Sequence, residues 1–282
     1  MKTKRAPTDF TADLLPHNRW EVFWDVIKMR WRTLLLIGAI LFAFFLPTML
    51  LMVFRDIYAI NLTLAKEQET ISEEQALYSS RLVQNVTNLL LIPSLAIFGI
   101  GVAGTGRVIR ELVWMEGVVF RDDFNLGIKQ NWKYSFTIGA LSGLMIFLAS
   151  FTLGNSSSQI LGILPLVISQ IFFLPVAYLV LSQTFVYSQG FFRYVGNGFQ
   201  LYFKTAPTTF LATLVMIAPV FLLLIGNLLL KYGLLIFCSV FLFPLQELGY
   251  FTYSCWVFDR CINQYQFPSI VDKGIHRRNN SI

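Results

Sequence analysis

Charge is scarce in this chain: 13% of its 282 residues are Asp, Glu, Lys or Arg, against 55% hydrophobic, and the mean hydropathy is +0.60. Histidine is scarcer still, since His17 and His276 are the only two and both stand near the ends. A His-based metal site or a Ser/His/Asp triad within the apolar body therefore has no candidate. HExxH, GxSxG and Walker A patterns and paired intramembrane Asp residues are all missing. Three cysteines, Cys238, Cys255 and Cys261, cluster at the last apolar segment and fit no zinc or CxxC spacing. The sequence predicts no catalysis, no metal and no cofactor.

What the chain has is apolar length. A membrane-crossing helix needs about 20 mostly apolar residues, and six stretches qualify: roughly 33–54, 86–106, 134–153, 160–183, 206–230 and 232–258. The expected fold is an all-α membrane protein with six transmembrane helices, its first partner the lipid bilayer. The net charge of +6 would suit nucleic acid in a soluble chain, but here it is read by position, and no nucleic acid is expected. Lys and Arg number seven up to Arg32, five in 107–133, two in 184–205 and four after Asp259, against only Arg55, Lys66, Arg81 and Lys231 on the other side. The positive-inside rule then puts both N- and C-termini in the cytoplasm. No small-residue cleavage site follows the first span, which reads as an anchor. The expected layout is an N-terminal interfacial unit at 1–32, a six-span domain at 33–258 and a cytoplasmic tail at 259–282.

In the N-terminal unit, Trp20, Phe23, Trp24, Ile27 and Trp31 recur at helical spacing among Arg19, Lys28, Arg30 and Arg32. This suits a helix at the inner leaflet boundary, either as an aromatic and basic belt or as a docking element. The outer loop at 55–85 is acidic and helix-friendly. Thr70 with Glu73, or Ser72 with Gln75, can form a capping box that starts a helix running into the second span.

One phrase is written twice. FRDDFNLGIKQNWK at 120–133 and FFRYVGNGFQLYFK at 191–204 align at an offset of 71, matching Phe120 to Phe191, Gly127 to Gly198, Trp132 to Phe203 and Lys133 to Lys204. Apolar residues recur at every fourth position: Phe120, Phe124, Ile128 and Trp132, then Phe191, Val195, Phe199 and Phe203. The expectation is two cytoplasmic interfacial helices, at about 107–133 and 187–205, each ending at a bend into the next span. The same shift carries span two onto span four and span three onto span five, which gives two parallel repeats of span, interfacial helix, span. The competing account is generic juxtamembrane grammar, which draws on the same aromatic, basic and Gly residues.

With an aromatic-rich N-terminal helix, a Pro-containing first span and an aromatic-basic phrase ending in NWK before span three, the chain resembles the YesL-like bacterial membrane proteins. The resemblance covers roughly Trp20 to Cys261 and rests on Phe120, Arg121, Phe124, Asn131, Trp132 and Lys133. In the second copy Tyr202 stands where Asn131 stood. That family has no known function and is often encoded beside sugar ABC transporter genes. The resemblance implies a bacterial cell membrane location and an accessory role near carbohydrate uptake, with an ABC permease or solute-binding protein as partner. Phe199, Phe203 and Lys204 join the first-copy residues as docking candidates.

One acid falls inside a span. Glu247 lies twelve residues before Asp259, about 18 Å along a helix, which suggests a mid-membrane position. A carboxylate there costs several kcal/mol unless paired or protonated. Gln246, Gln170, Ser169 and Asn227 are candidate partners. The group is either a substrate or proton site of a small transporter or channel, or a bundle-holding hydrogen bond. Six prolines, Pro47, Pro93, Pro165, Pro175, Pro219 and Pro244, fall in five of the spans. They either break helices along a path or are accommodated by packing.

Overall fold

The computed structural model describes residues 15–155 and 159–276, and among these every regular element is helical. Helix α1 (Arg19–Glu67) and helix α2 (Glu73–Val113) form a long antiparallel pair, followed by α3 (Phe120–Asn155). The fourth span is α4 (Gln159–Ile168) joined through a π-helical turn to α5 (Leu174–Val186). Helix α6 (Phe191–Lys204) leads into α7 (Ala206–Ile217), which tightens into a 3-10 stretch, Ala218–Leu224. The last span is α8 (Leu228–Phe237), a π turn, α9 (Phe243–Phe258), a second π turn and the short α10 (Gln264–Gln266). Six helical segments are long and apolar enough to cross a membrane, as an all-α multi-pass membrane protein requires.

Helix α2 is the hub. It packs on α1, α3, α5 and α9, and its closest approach is to α3. Small residues make that approach possible: Gly127, Ser135, Gly139 and Gly143 recur at i+4 or multiples of it along α3 and face α2. A Cβ on Gly127 would stand 2.7 Å from the Ala103 carbonyl oxygen, and one on Gly143 would stand 2.6 Å from Ile92 Cα. With lipid outside as apolar as any side chain, such backbone proximity is what holds membrane helices together.

Prolines leave orphan carbonyls, and the bundle answers three of them. A helix carbonyl normally accepts from the N–H four residues on, which proline lacks. Pro219 removes the usual donor to Val215, whose oxygen accepts instead from Ala218 N, three residues on, and from Gln246 Nε2 at 2.6 Å. Pro175 strips Ile171, whose oxygen accepts from the Tyr202 hydroxyl at 2.6 Å. Pro244 strips Val240, whose oxygen lies against the bare Cα of Gly38. Two of the three π turns, Ser169–Phe173 and Cys238–Leu242, end just before Pro175 and Pro244, and the wider turn makes room for the pyrrolidine ring. At these positions the prolines are packing features.

The boundaries differ from those read along the sequence. Residues 1–14 of the N-terminal unit lie outside the described residues; from Arg19 the unit is continuous with the first span, bending at Arg30 (φ −124°, ψ 23°). The outer segment is no loop: α1 and α2 run through it to a turn at 68–72, where Ser72 and Gln75 form the capping box. Its residues are good helix formers, so nothing interrupts either helix. The first copy of the phrase, from Phe120, is not a separate helix; α3 continues through Lys133 without a break. Only the second copy ends in a bend, where Thr205 leaves helical geometry before Pro207.

Candidate functional site

The segments 15–19 and 259–276 gather at one end of the bundle, where charge and aromatic groups concentrate. Arg19, at the start of α1, donates Nη2 to Asp259 Oδ2 at 2.6 Å and Nη1 to the Lys273 carbonyl at 2.7 Å. Asp259 also accepts from Asn263, whose side-chain oxygen accepts from the Tyr187 hydroxyl. Beyond α10 the chain folds back as a strap. It turns at Gly274, whose φ of +86° favours glycine, and His276 N donates to the Pro16 carbonyl at 2.8 Å.

Trp114 is the strap's anchor. Its ring lies between the Arg110 guanidinium at 4.7 Å and the Lys273 ammonium at 4.2 Å, two cation–π contacts on one indole. Lys273 Nζ also meets Glu116 Oε1 at 2.5 Å. A hydrogen bond with Glu111, and then the Lys273 ammonium, hold the Glu116 carboxyl below its ordinary value of 4.5. Arg110 pairs with Glu111, as Arg107 does at 3.2 Å, and reaches the Phe185 carbonyl at 2.9 Å. This layer ties α1, α2, α5 and α9 together.

The repeated phrase lies at the same end. In both copies the glycine is buried against the preceding span: Gly127 on α2, and Gly198 on α5, where an added Cβ would meet Val180 at 2.8 Å. Asn131 and Tyr202 are buried at equivalent positions. Trp132 and Phe203 are 41% and 67% exposed, each followed by an exposed Lys133 or Lys204. The packed face of α6 is Tyr194, Gly198, Leu201 and Tyr202, rather than the every-fourth-residue row that includes Phe199 and Phe203. That row drifts about 40° per step, so it cannot stay on one face for three steps. Phe120 and Phe124 are half-buried, the latter with its ring over Gly104, and Arg121 is exposed.

Glu247 is bonded to a residue that the sequence did not single out. Thr105 Oγ1 on α2 lies 3.1 Å from Glu247 Oε1 and also reaches the Gly101 carbonyl at 3.1 Å. Glu247 Oε2 is buried with no hydrogen-bond partner among the described residues. Thr105 lies six residues, about 9 Å along α2, before Glu111, and Glu247 lies twelve residues, about 18 Å along α9, before Asp259, so the carboxyl stands inward of the charged layer.

The other proposed partners are elsewhere. Gln246 faces α7, Asn227 caps α8 by accepting from Leu230 N at 3.0 Å, and Gln170 lies in the π turn of the fourth span. Only position could have pointed to Thr105, the one hydroxyl in GIGVAGTG, two residues before the basic run. Among the described residues no group of three His, Cys, Asp or Glu side chains is placed to hold a metal. No family model, curated protein or solved structure matches the chain.

Proposed function

We propose that the protein is a non-catalytic accessory subunit of a bacterial cell membrane, docking a membrane partner along its cytoplasmic edge. The supporting observation is the pair of exposed aromatic–Lys steps, Trp132–Lys133 within α3 and Phe203–Lys204 at the end of α6, each following a buried glycine packed on the span before it. A ring at headgroup depth beside an ammonium is interfacial chemistry. Two such steps, 71 residues apart, make a bidentate rim. The cytoplasmic assignment of this end rests on its excess of Lys and Arg. The partner class follows from the YesL-like resemblance: the permease or solute-binding protein of a carbohydrate ABC importer.

A second reading stands on the unpartnered Glu247 Oε2. An intramembrane carboxyl with half its hydrogen-bonding capacity unused is a site for a proton or a small polar substrate in a transporter or channel. One experiment separates the two: mild extraction of the tagged protein from its own membranes, followed by mass spectrometry. Stoichiometric permease, lost on Trp132→Ala with Phe203→Ala and kept on Glu247→Gln, is the expected result. Recovery of the protein without other subunits, with solute flux in liposomes abolished by Glu247→Gln, would replace the first reading by the second.

A further inference from the structure

The lead into α1, the end of the last span and the strap border a cavity of about 290 Å³, whose walls include His17, Arg19, Trp256, Asp259, Arg260 and Asp272. Two of these side chains carry a nitrogen that is buried with no hydrogen-bond partner among the described residues, Arg19 Nε and His17 Nε2. Such groups are rare, because a polar atom left unmatched away from water is costly. Arg19 is only 8% exposed, and its two Nη atoms are committed to Asp259 and the Lys273 carbonyl. Of its three nitrogens, Nε is the one left unmatched.

On His17 the other ring nitrogen decides the chemistry. Nδ1 lies 2.9 Å from the His276 carbonyl oxygen, which can only accept, so Nδ1 holds the proton and Nε2 of the neutral ring is an acceptor. Arg260 brings a second guanidinium. It is exposed and stands 4.4 Å from the centre of the Trp256 ring, and no hydrogen bond or ion pair of that guanidinium occurs among the described residues. The formal charges of the walls balance, Arg19 and Arg260 against Asp259 and Asp272, so the cavity favours neither a net anion nor a net cation. It offers guanidinium donors from one set of side chains and acceptors from the other.

We infer that this cavity is a site for a phosphate–ammonium zwitterion, the phosphoethanolamine group, carried by a lipid of the adjacent leaflet or free in solution. Its phosphate takes Arg260 and the Arg19 Nε–H, since a guanidinium matches phosphate oxygens in planar, directed pairs. Its ammonium donates to His17 Nε2 and lies on the side of the Asp272 carboxylate. Both unmatched nitrogens are then used. A simple anion would set an acceptor against Nε2, and a quaternary ammonium has no N–H to give it. Trp256 with Arg260 is an aromatic–basic pair of the kind that sits at headgroup depth, where lipid phosphates are at hand. Because Asp272 belongs to the strap, the bound group also joins the strap to the last span.

Native mass spectrometry of the full-length protein tests this, in nanodiscs of phosphatidylcholine with equal small shares of phosphatidylethanolamine and phosphatidylglycerol. A single tightly held phosphatidylethanolamine per chain is expected. Arg260→Gln, at an exposed position and with helical circular dichroism retained, should weaken that retention about tenfold. Arg193→Gln, at an exposed position on α6, should leave it unchanged. His17→Phe should narrow the preference for phosphatidylethanolamine over phosphatidylcholine. In detergent, soluble phosphoethanolamine that raises the unfolding midpoint more than phosphocholine does would name the free ester as an occupant, whereas protection by the lipid alone would name the leaflet as the source. Equal retention of the three lipids with no response to phosphoethanolamine, or retention indifferent to Arg260→Gln, would overturn the site.

Discussion

Arg19 and Asp259, 240 positions apart in the chain, meet through a 2.6 Å ion pair with both side chains less than a tenth exposed. Removing one partner strands the other without water. Asp259→Asn is expected to cost about 3 kcal/mol, seen as a lowered midpoint in thermal unfolding in detergent. Arg19→Met with Asp259→Leu should recover most of that loss, since the pair itself contributes little over an apolar substitute.

The α2–α3 contact has no room for a methyl group. Gly127→Ala and Gly143→Ala each place a Cβ against backbone, and a cost of about 1–3 kcal/mol is expected from the forced separation. At Gly233 an added Cβ meets nothing within 4 Å, so Gly233→Ala should be silent in the same unfolding assay.

Gln246 and Tyr202 matter because of prolines that they do not touch in sequence. Gln246→Leu and Tyr202→Phe each leave a stripped carbonyl with less hydrogen bonding, at about 1–2 kcal/mol. The distinctive expectation is non-additivity. In a Pro219→Ala background, where residue 219 regains its N–H, Gln246→Leu should cost clearly less than in the wild type. Equal costs in both backgrounds would remove the explanation.

Acid should loosen the strap. Glu116 has its folded value below the ordinary 4.5, so its stabilising contribution is complete above that value and is lost as the pH falls through the lower one. Between neutral pH and 5 the strap should stay docked. As the pH falls through that lowered value, Trp114 should lose the Lys273 ammonium while keeping Arg110, with a change in its fluorescence and faster proteolysis within 267–276. Glu116→Gln should abolish that pH dependence.

Topology is directly measurable. Thr63 is exposed near the hairpin tip, and Thr63→Cys should react with a membrane-impermeant maleimide in intact cells. A cysteine at Lys273 should react only after lysis. Reversed labelling would move the proposed docking rim to the outer surface.

The six spans were legible because a run of 20 apolar residues has few other fates, and the Ser72 box because capping depends on local spacing. The lengths of α1 and α2 were not. Polar, helix-forming residues at 55–85 read equally as a loop or as a continued helix, and only the partner helix decides. The true face of α6 was hidden because its buried side combines Gly198 with two tyrosines, while the more apolar phenylalanines Phe192, Phe199 and Phe203 face outward. Thr105 was not singled out, and the roles of Gln246 and Tyr202 were not foreseen, for a common reason. Their partners are a carboxyl and two main-chain carbonyls on other helices, and a backbone oxygen made needy by a distant proline leaves no mark on the residue that serves it.

The strap has a consequence for biogenesis. Arg19 enters the membrane boundary with the first span, but Asp259 is made 240 residues later and the Lys273 carbonyl later still. At about 5–20 residues per second, that is a wait of roughly 12 to 48 s. During it a cation destined for the interior has only water, headgroups or the insertion machinery for company. The docking of Asp259 and the strap onto Arg19 is therefore a late act of assembly, and a ribosome stalled before Asp259 would leave a bundle with its spans largely inserted and its inner floor open.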